Sequence, residues 1–220
     1  LSYNDSKKSL IQSRLAPRIM RLGLDGFADY IAMLEDESEA AEFQMAVDLL
    51  TTNETYFFRE PAHFEFMAEL LAQGRLGSGG AELRVWSAAS SSGEEAYSIA
   101  MLLADKLGPR GWQVLGSDLS TAMVQAAQRG LYPMERASQV PAVYLKRFWL
   151  RGDGDYDGKM LIKRELRARV GFRTGNLMKD VRGMGEFDLI FLRNVLIYFD
   201  PQSKAEIVER VCRQLRPGGY

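Results

Sequence analysis

The 220-residue sequence predicts an α/β protein, in which a parallel, doubly wound sheet follows an N-terminal helical domain and carries a small antiparallel β insertion. Three observations predict it. Apolar residues recur at helical spacing from Ser6 to about Gln73. Beyond Leu83, apolar strand-like runs alternate with amphipathic helical ones, the pattern of successive βαβ units. Between Ala142 and Phe172 both periods break into aromatic, charged and glycine-rich pieces.

The first helix is drawn by Leu10, Ile11, Leu15, Ile19 and Leu22, and Pro17 inside it implies either a kink or a split. "GFADYIAMLE" and "EAAEFQMAVDLL" continue the helical domain. "AQGRLGSGGAEL" is glycine-rich and without period, which makes it a linker and sets the expected domains at 1–75 and 76–220. After it come the strand "LRVWSA", the helix "GEEAYSIAMLLADKL", the strand "WQVLGSDL", the helix "TAMVQAAQRG", and later "FDLIFLRNVLIYF" with the helix "SKAEIVERVCRQL". The piece "YLKRFWLRGDGDYDGKMLIKREL" alternates like a hairpin around "GDGDYDG", so 142–172 is expected to be the inserted β-subdomain. The sequence closes on "LRPGGY", where such a sheet would turn into further strands, and it opens without Met, so trimming is expected at its start.

Composition bounds the function. With 46% hydrophobic and 26% charged residues the chain can bury a sizeable core as a globular protein. One cysteine, Cys212, excludes an intramolecular disulfide framework and a cysteine-rich metal site, which points to a reducing, cytoplasmic setting. No charge-free apolar run approaches the ~20 residues that a bilayer requires, and "LSYNDSKKS" has no signal-peptide character. The net charge of -1 argues against wholesale nucleic-acid binding. Charge is nonetheless uneven: Lys7, Lys8, Arg14, Arg18 and Arg21 precede a stretch from 25 to 50 that holds eight acids and no Lys or Arg.

In open parallel sheets ligands bind beyond the carboxyl ends of the strands, and four such ends here are polar. The turn "AASSSGEE" offers small residues for close backbone approach, but a single glycine, Gly93, and two acids, Glu94 and Glu95, which suit a cationic group rather than a phosphate. Asp118 in "VLGSDL" follows Gly93 by 25 residues, near the offset of about 20 at which a carboxylate accepts ribose hydroxyls. "FRTGNL" brings Asn176 and Leu177, an amide beside an apolar wall, as an adenine edge needs. "LIFLRNVLIYF" brings Arg193, Asn194 and Tyr198. A ribose, an adenine and an amino-acid tail without phosphate describe S-adenosyl-L-methionine, whose product after methyl transfer is S-adenosyl-L-homocysteine.

Together "TTNETYFFREPAHF", "WSAASSSGEEAYSIA", "GSDLS" and "FLRNVLIYF" resemble the chemotaxis receptor methyltransferases of the CheR family, across essentially the whole chain. The resemblance implies a Rossmann-like sheet and a reaction in which the methyl passes to a receptor glutamate carboxylate, giving a methyl ester for chemotactic adaptation. It implies that Asn53, Thr55 and Arg59 face cofactor or substrate, that Ala88 is among the cofactor-binding residues, that Glu94 meets the methionine part, that Asp118 takes the ribose, and that Asn176 and Leu177 take the adenine. Asn194 and Val195 would form the floor, with Arg59 and Tyr198 beside the reacting carboxylate. The implied partners of a monomeric enzyme are the cytoplasmic helices of methyl-accepting receptors, and the insertion resembles the subdomain by which some members hold a receptor C-terminal peptide. Ala96 departs from the proline usual after the two glutamates.

A glutamate of ordinary pKa near 4.3 is already ionised at neutral pH, so no general base is needed. Positioning and exclusion of water would supply most of the rate. Arg59 has an alternative role as the ion-pair partner of Glu60 or Glu65, and Arg14, Arg18 and Arg21 are either a solvated helical face or a docking stripe for acidic receptor helices. His63 has no companion ligand nearby, so no metal site is expected, and Cys212 reads as packing. A nucleic-acid methyltransferase and a cofactor-binding sensor are the competing readings.

Overall fold

The structure is a computed structural model that describes residues 8–77, 80, 82–179 and 181–220. Three helices come first: α1 (Lys8–Leu22), α2 (Phe27–Glu35) and α3 (Ala40–Leu50). Their apolar faces meet at Leu15, Ile19, Tyr30 and Ala46, a core of their own. α1 runs through Pro17 as one helix. Lys7 lies outside the described residues.

A stretch without regular secondary structure, 51–56, leads through a turn at 57–58 to α4 (Ala62–Ala72). Here the structure departs from the expected boundary at 75. Phe64, Met67 and Leu70 of α4 are buried in the same cluster as the sheet, so the two cores part near residue 51. Gly74, Gly77 and Gly80 of "AQGRLGSGGAEL", all with positive φ, lie between α4 and the first strand.

The main sheet is built from β1 (Leu83–Ala88), β2 (Trp112–Asp118), β6 (Val170–Thr174) and β7 (Leu189–Leu192), in the order β6-β2-β1-β7, all parallel. β1 is central, and its period of two feeds both faces: Leu83 and Val85 join the core beneath α5 (Glu94–Leu107), while Trp86 and Ala88 join Ile207 and Val211 of α9 (Pro201–Cys212). The Trp86 indole N–H, fully buried, donates to Ser117 Oγ at 2.9 Å. α6 (Thr121–Arg129) follows β2, capped by the Ser120 side chain. Beside β7, Tyr220 exchanges backbone hydrogen bonds with Asp188 and Ile190.

The small antiparallel sheet has the order β3-β5-β4, from β3 (Leu131–Pro133), β4 (Trp149–Arg151) and β5 (Lys159–Ile162). It therefore begins before the expected 142–172 segment, and the end of that segment, Val170–Phe172, belongs to β6 of the main sheet. Between these lie α7 (Ala142–Phe148) and α8 (Arg164–Arg167). Because β1 pairs with Ser117 at one side of Ala88 and Leu192 at the other, the strand ends align and their loops open on one edge.

Candidate active site

Those loops, with the junction 51–59, enclose a cleft of about 1360 Å³ counted out to its open mouth. Of the expected site residues, Asn53, Thr55, Arg59, Asp118, Asn176, Leu177, Asn194, Val195 and Tyr198 line it. Ala88 and Glu94 do not. Ala88 is buried in the core on the α9 side of the sheet, and Glu94 is fully buried behind the turn, where it accepts hydrogen bonds from Ser92 Oγ at 2.6 Å and Arg136 Nη1 at 2.8 Å. Adjacent residues of a helix point about 100° apart, so only one of the two glutamates can face the cleft. That residue is Glu95.

Gly93 explains why one glycine suffices. It starts α5 with φ 95°, and a Cβ there would lie 2.8 Å from Ala127 Cβ and 3.0 Å from Phe172 Cζ. The turn is fixed by packing against its back, leaving its front to a ligand. Among the described residues, every non-glycine residue with positive φ sits in the loops framing the cleft: Phe58, Glu60, Ala89, Ser91 and Asn194. Such conformations cost ~1–2 kcal/mol each and persist only where the surroundings impose them.

Asp118 ends β2 with its carboxylate nearly buried, accepting from the backbone N–H of Ser91 at 2.7 Å and of Ser120 at 2.9 Å. Burial pushes its carboxyl above the usual range, against those hydrogen bonds. Burial likewise raises Glu95, opposed by the Ser87 hydroxyl at 2.7 Å and by Arg193 Nη1 at 3.1 Å. Arg59, in the junction, donates to Glu54 O at 2.8 Å and its guanidinium lies 5.5 Å from the Tyr56 ring centroid. It makes no ion pair with Glu60 or Glu65; Glu60 instead accepts from Arg193 and Asn194.

The helical layer takes part in the cleft. Asp48 of α3 accepts from the N–H and hydroxyl of Thr121 at the start of α6, seating the layer over the end of β2. Arg14 donates to the carbonyls of Leu49, Leu50 and Thr51, fastening the end of α3 and the junction. Arg18 forks onto Glu42, which also accepts from Tyr30 Oη at 2.7 Å. Of the expected docking stripe, then, two arginines are turned inward and Arg21 alone is exposed. Cys212 is also exposed rather than packed. Among the described residues no helix is long and apolar enough to cross a membrane, and no group of three or more His, Cys, Asp or Glu converges as metal ligands would.

The sequence matches two family models in succession, "CheR methyltransferase, all-alpha domain" over residues 1–51 and "CheR methyltransferase, SAM binding domain" over residues 53–220. The chain belongs to the CheR methyltransferase family. The models meet where the two cores part. A chemotaxis protein methyltransferase of Salmonella typhimurium is 42% identical over 98% of this chain and 74% of its own length. Chemotaxis protein methyltransferase 2 of Pseudomonas aeruginosa is 44% identical over 100% of this chain and 78% of its own, and the Borreliella burgdorferi relative is 34% identical over 100% and 80%.

The CheR cofactor is S-adenosylmethionine, and the cleft fits that molecule. It offers two acids for a cationic tail and ribose hydroxyls, an amide beside Leu177, and the Ser90 hydroxyl, buried with no partner among the described residues. Sequence reasoning read the small residues of this turn and both of its acids, and gave Glu94 the methionine part, whereas Glu95 is the one of the two that lines the cleft, with Ala89, Ser90 and Ser91. It noted Arg193 at a strand end without giving it a role.

Proposed function

We propose that this chain methylates glutamate side chains on the cytoplasmic helices of bacterial chemoreceptors, giving methyl esters, and that it acts in the cytoplasm. The observation that carries the reading is the charge of the cleft: the acids Glu54, Glu95 and Asp118 and the cations Arg59 and Arg193 line it, with no His, Lys or Cys among the described lining residues. A site so equipped can take a cation at its acids and an anion at Arg59, and its described lining offers no imidazole, amine or thiol to serve as a general base. A carboxylate acceptor needs none.

Bound in the cleft, S-adenosylmethionine supplies an electrophilic methyl on a sulfonium. The chain's own residues bind and orient. Glu95 holds the cationic amino group, Asp118 accepts the ribose hydroxyls, and Asn176 and Leu177 flank the adenine, with Asn53, Thr55, Asn194 and Val195 completing the enclosure. Arg59 steers the incoming carboxylate by charge-assisted hydrogen bonds, and the Tyr198 hydroxyl sets its angle. Exclusion of water keeps both reacting charges poorly solvated, which favours their mutual discharge.

The test is single-turnover transfer of radiolabelled methyl to receptor-bearing membranes, followed by mild alkali. Glutamate methylation predicts label released as volatile methanol. Cofactor binding without transfer to any receptor, or label stable to alkali, overturns it.

A further inference from the structure

Arg193 stands at the end of β7 with a tenth of its side chain exposed, and three acceptors from two walls converge on it. Nη1 donates to Glu95 Oε2 at 3.1 Å, and Nη2 donates to the carbonyl of Arg59 at 2.6 Å and to Glu60 Oε2 at 3.1 Å. The rings of Phe64 and Phe191 lie 5.7 and 5.8 Å from its guanidinium. Next to it, Asn194 Nδ2 donates to Glu60 Oε1 at 3.0 Å, and this hydrogen bond joins two residues that are both left-handed, φ 56° and 57°. A buried guanidinium with a strained loop on either side is expensive unless the arrangement is needed.

We infer that Arg193 is a positioning residue, a latch that holds the Arg59 loop against the Tyr198 loop while aiming the Glu95 carboxylate into the cleft. The inference rests on the reading above, that Glu95 faces the cofactor's cation. One fork spans both jobs because a planar guanidinium presents donors in several directions, whereas a lysine ammonium on the same stem reaches one wall at a time. The charged groups that bear on Glu95 are Arg193, from the loop after β7, and Glu60, from the junction, with the Ser87 hydroxyl of β1 beside them. Arg193 opposes the upward push of burial on Glu95, and Glu60 adds to it. Removing Arg193 therefore favours protonated Glu95, which cannot hold a cation.

Two effects should separate. In Arg193→Met, the affinity for S-adenosylmethionine should fall more steeply on acidification than in the native protein, by ~10-fold for each pH unit that the Glu95 midpoint moves up. In Arg193→Lys the charge persists, so the pH profile of affinity should stay near native while kcat falls ~10-fold or more, because the Arg59 loop is no longer tied. Glu60→Gln should lower kcat without moving that profile upward, since it loosens only the outer anchor.

The experiment is calorimetric titration of S-adenosylmethionine from about pH 5.5 to 8.5, with single-turnover rates on receptor membranes, for the native chain, these three variants and Glu95→Gln. A native-like Kd for Glu95→Gln would sink the placement of the cofactor's cation, and this inference with it. A weakened Glu95→Gln beside an Arg193→Met profile parallel to native would sink the latch alone. If Arg193→Met fails to fold, Arg193→Lys decides: native kcat there overturns the role of the fork, and lowered kcat with a native profile sustains it.

Discussion

Glu94 and Glu95 are neighbours with opposite surroundings, so replacing each by glutamine separates the wall of the cleft from the scaffold behind it. Glu95→Gln keeps the volume and one acceptor for the Ser87 hydroxyl, while Arg193 retains Glu60 and the Arg59 carbonyl. The fold should persist. What is lost is a charge-assisted hydrogen bond to the cofactor's amino group, about 1.5–3 kcal/mol, which is a ~10–150-fold rise in Kd. Glu94→Gln puts an amide into a buried site where Ser92 and Arg136 both donate, so it should cost about 1–3 kcal/mol of stability while Kd stays within about 2-fold. Titration calorimetry with S-adenosylmethionine and with its demethylated product measures both, since the amino group is common to the two. Burial raises Glu95, so its ionised form is lost as pH falls toward that raised value; native affinity should weaken on acidification, and Glu95→Gln should flatten the response. Equal weakening by both variants, or an undisturbed Glu95→Gln, would refute the assignment of Glu95 to the cleft.

Asp118→Asn should cost about 1–3 kcal/mol of cofactor affinity, and some stability too, because an amide cannot accept from both Ser91 and Ser120 while meeting a ribose; unchanged calorimetric affinity in a folded variant would remove the ribose assignment. Gly93→Ala should destabilise by about 2–5 kcal/mol, the sum of a left-handed conformation and a Cβ driven into Ala127 and Phe172, read from the urea midpoint. Arg18→Ala should lower the thermal midpoint by stranding the buried Glu42 and Tyr30, whereas Arg21→Glu should leave it unchanged and weaken transfer to receptor in a salt-dependent way. A salt-independent rate with Arg21→Glu fully active would return that residue to solvent.

The sequence announced what is local. Helical spacing in α1 and the apolar run of β1 are written in consecutive residues, and so are the polar strand ends at Asp118, Asn176 and Asn194. What it did not announce depends on partners far along the chain. Arg14, Arg18 and Arg21 do share a helical face, but whether that face looks inward is decided by Glu42 and by the end of α3, across a helix pair. The glycines after α4 read as a domain break because no local signal says that Phe64, Met67 and Leu70 pack on α5. β3 has three residues, too few to show a period, and β6 is an edge strand carrying Gly171 and Arg173, so the insertion appeared shifted along the chain. The latch at Arg193 joins residues 98 to 134 positions apart.

Glu95 and Asp118 connect these features to the reaction. Each has its folded-state pKa raised, chiefly by burial, so each binds a proton more readily in the folded chain than in the unfolded one. Stability of the ligand-free chain is therefore reduced as pH rises from the ordinary carboxylate range through the raised values, and above those values the two ionised acids are held at a cost. That cost is the local inconsistency expected of a binding site. A cation entering the cleft offsets it, whereas a neutral or anionic ligand does not, so the same burial that weakens the empty site favours a ligand with a cationic amino group and a sulfonium. Once the methyl has left, the sulfonium charge is gone while the amino group remains. The acids should then hold the demethylated product less tightly than the cofactor but still bind it, and Glu95→Gln should reduce both affinities by the same factor.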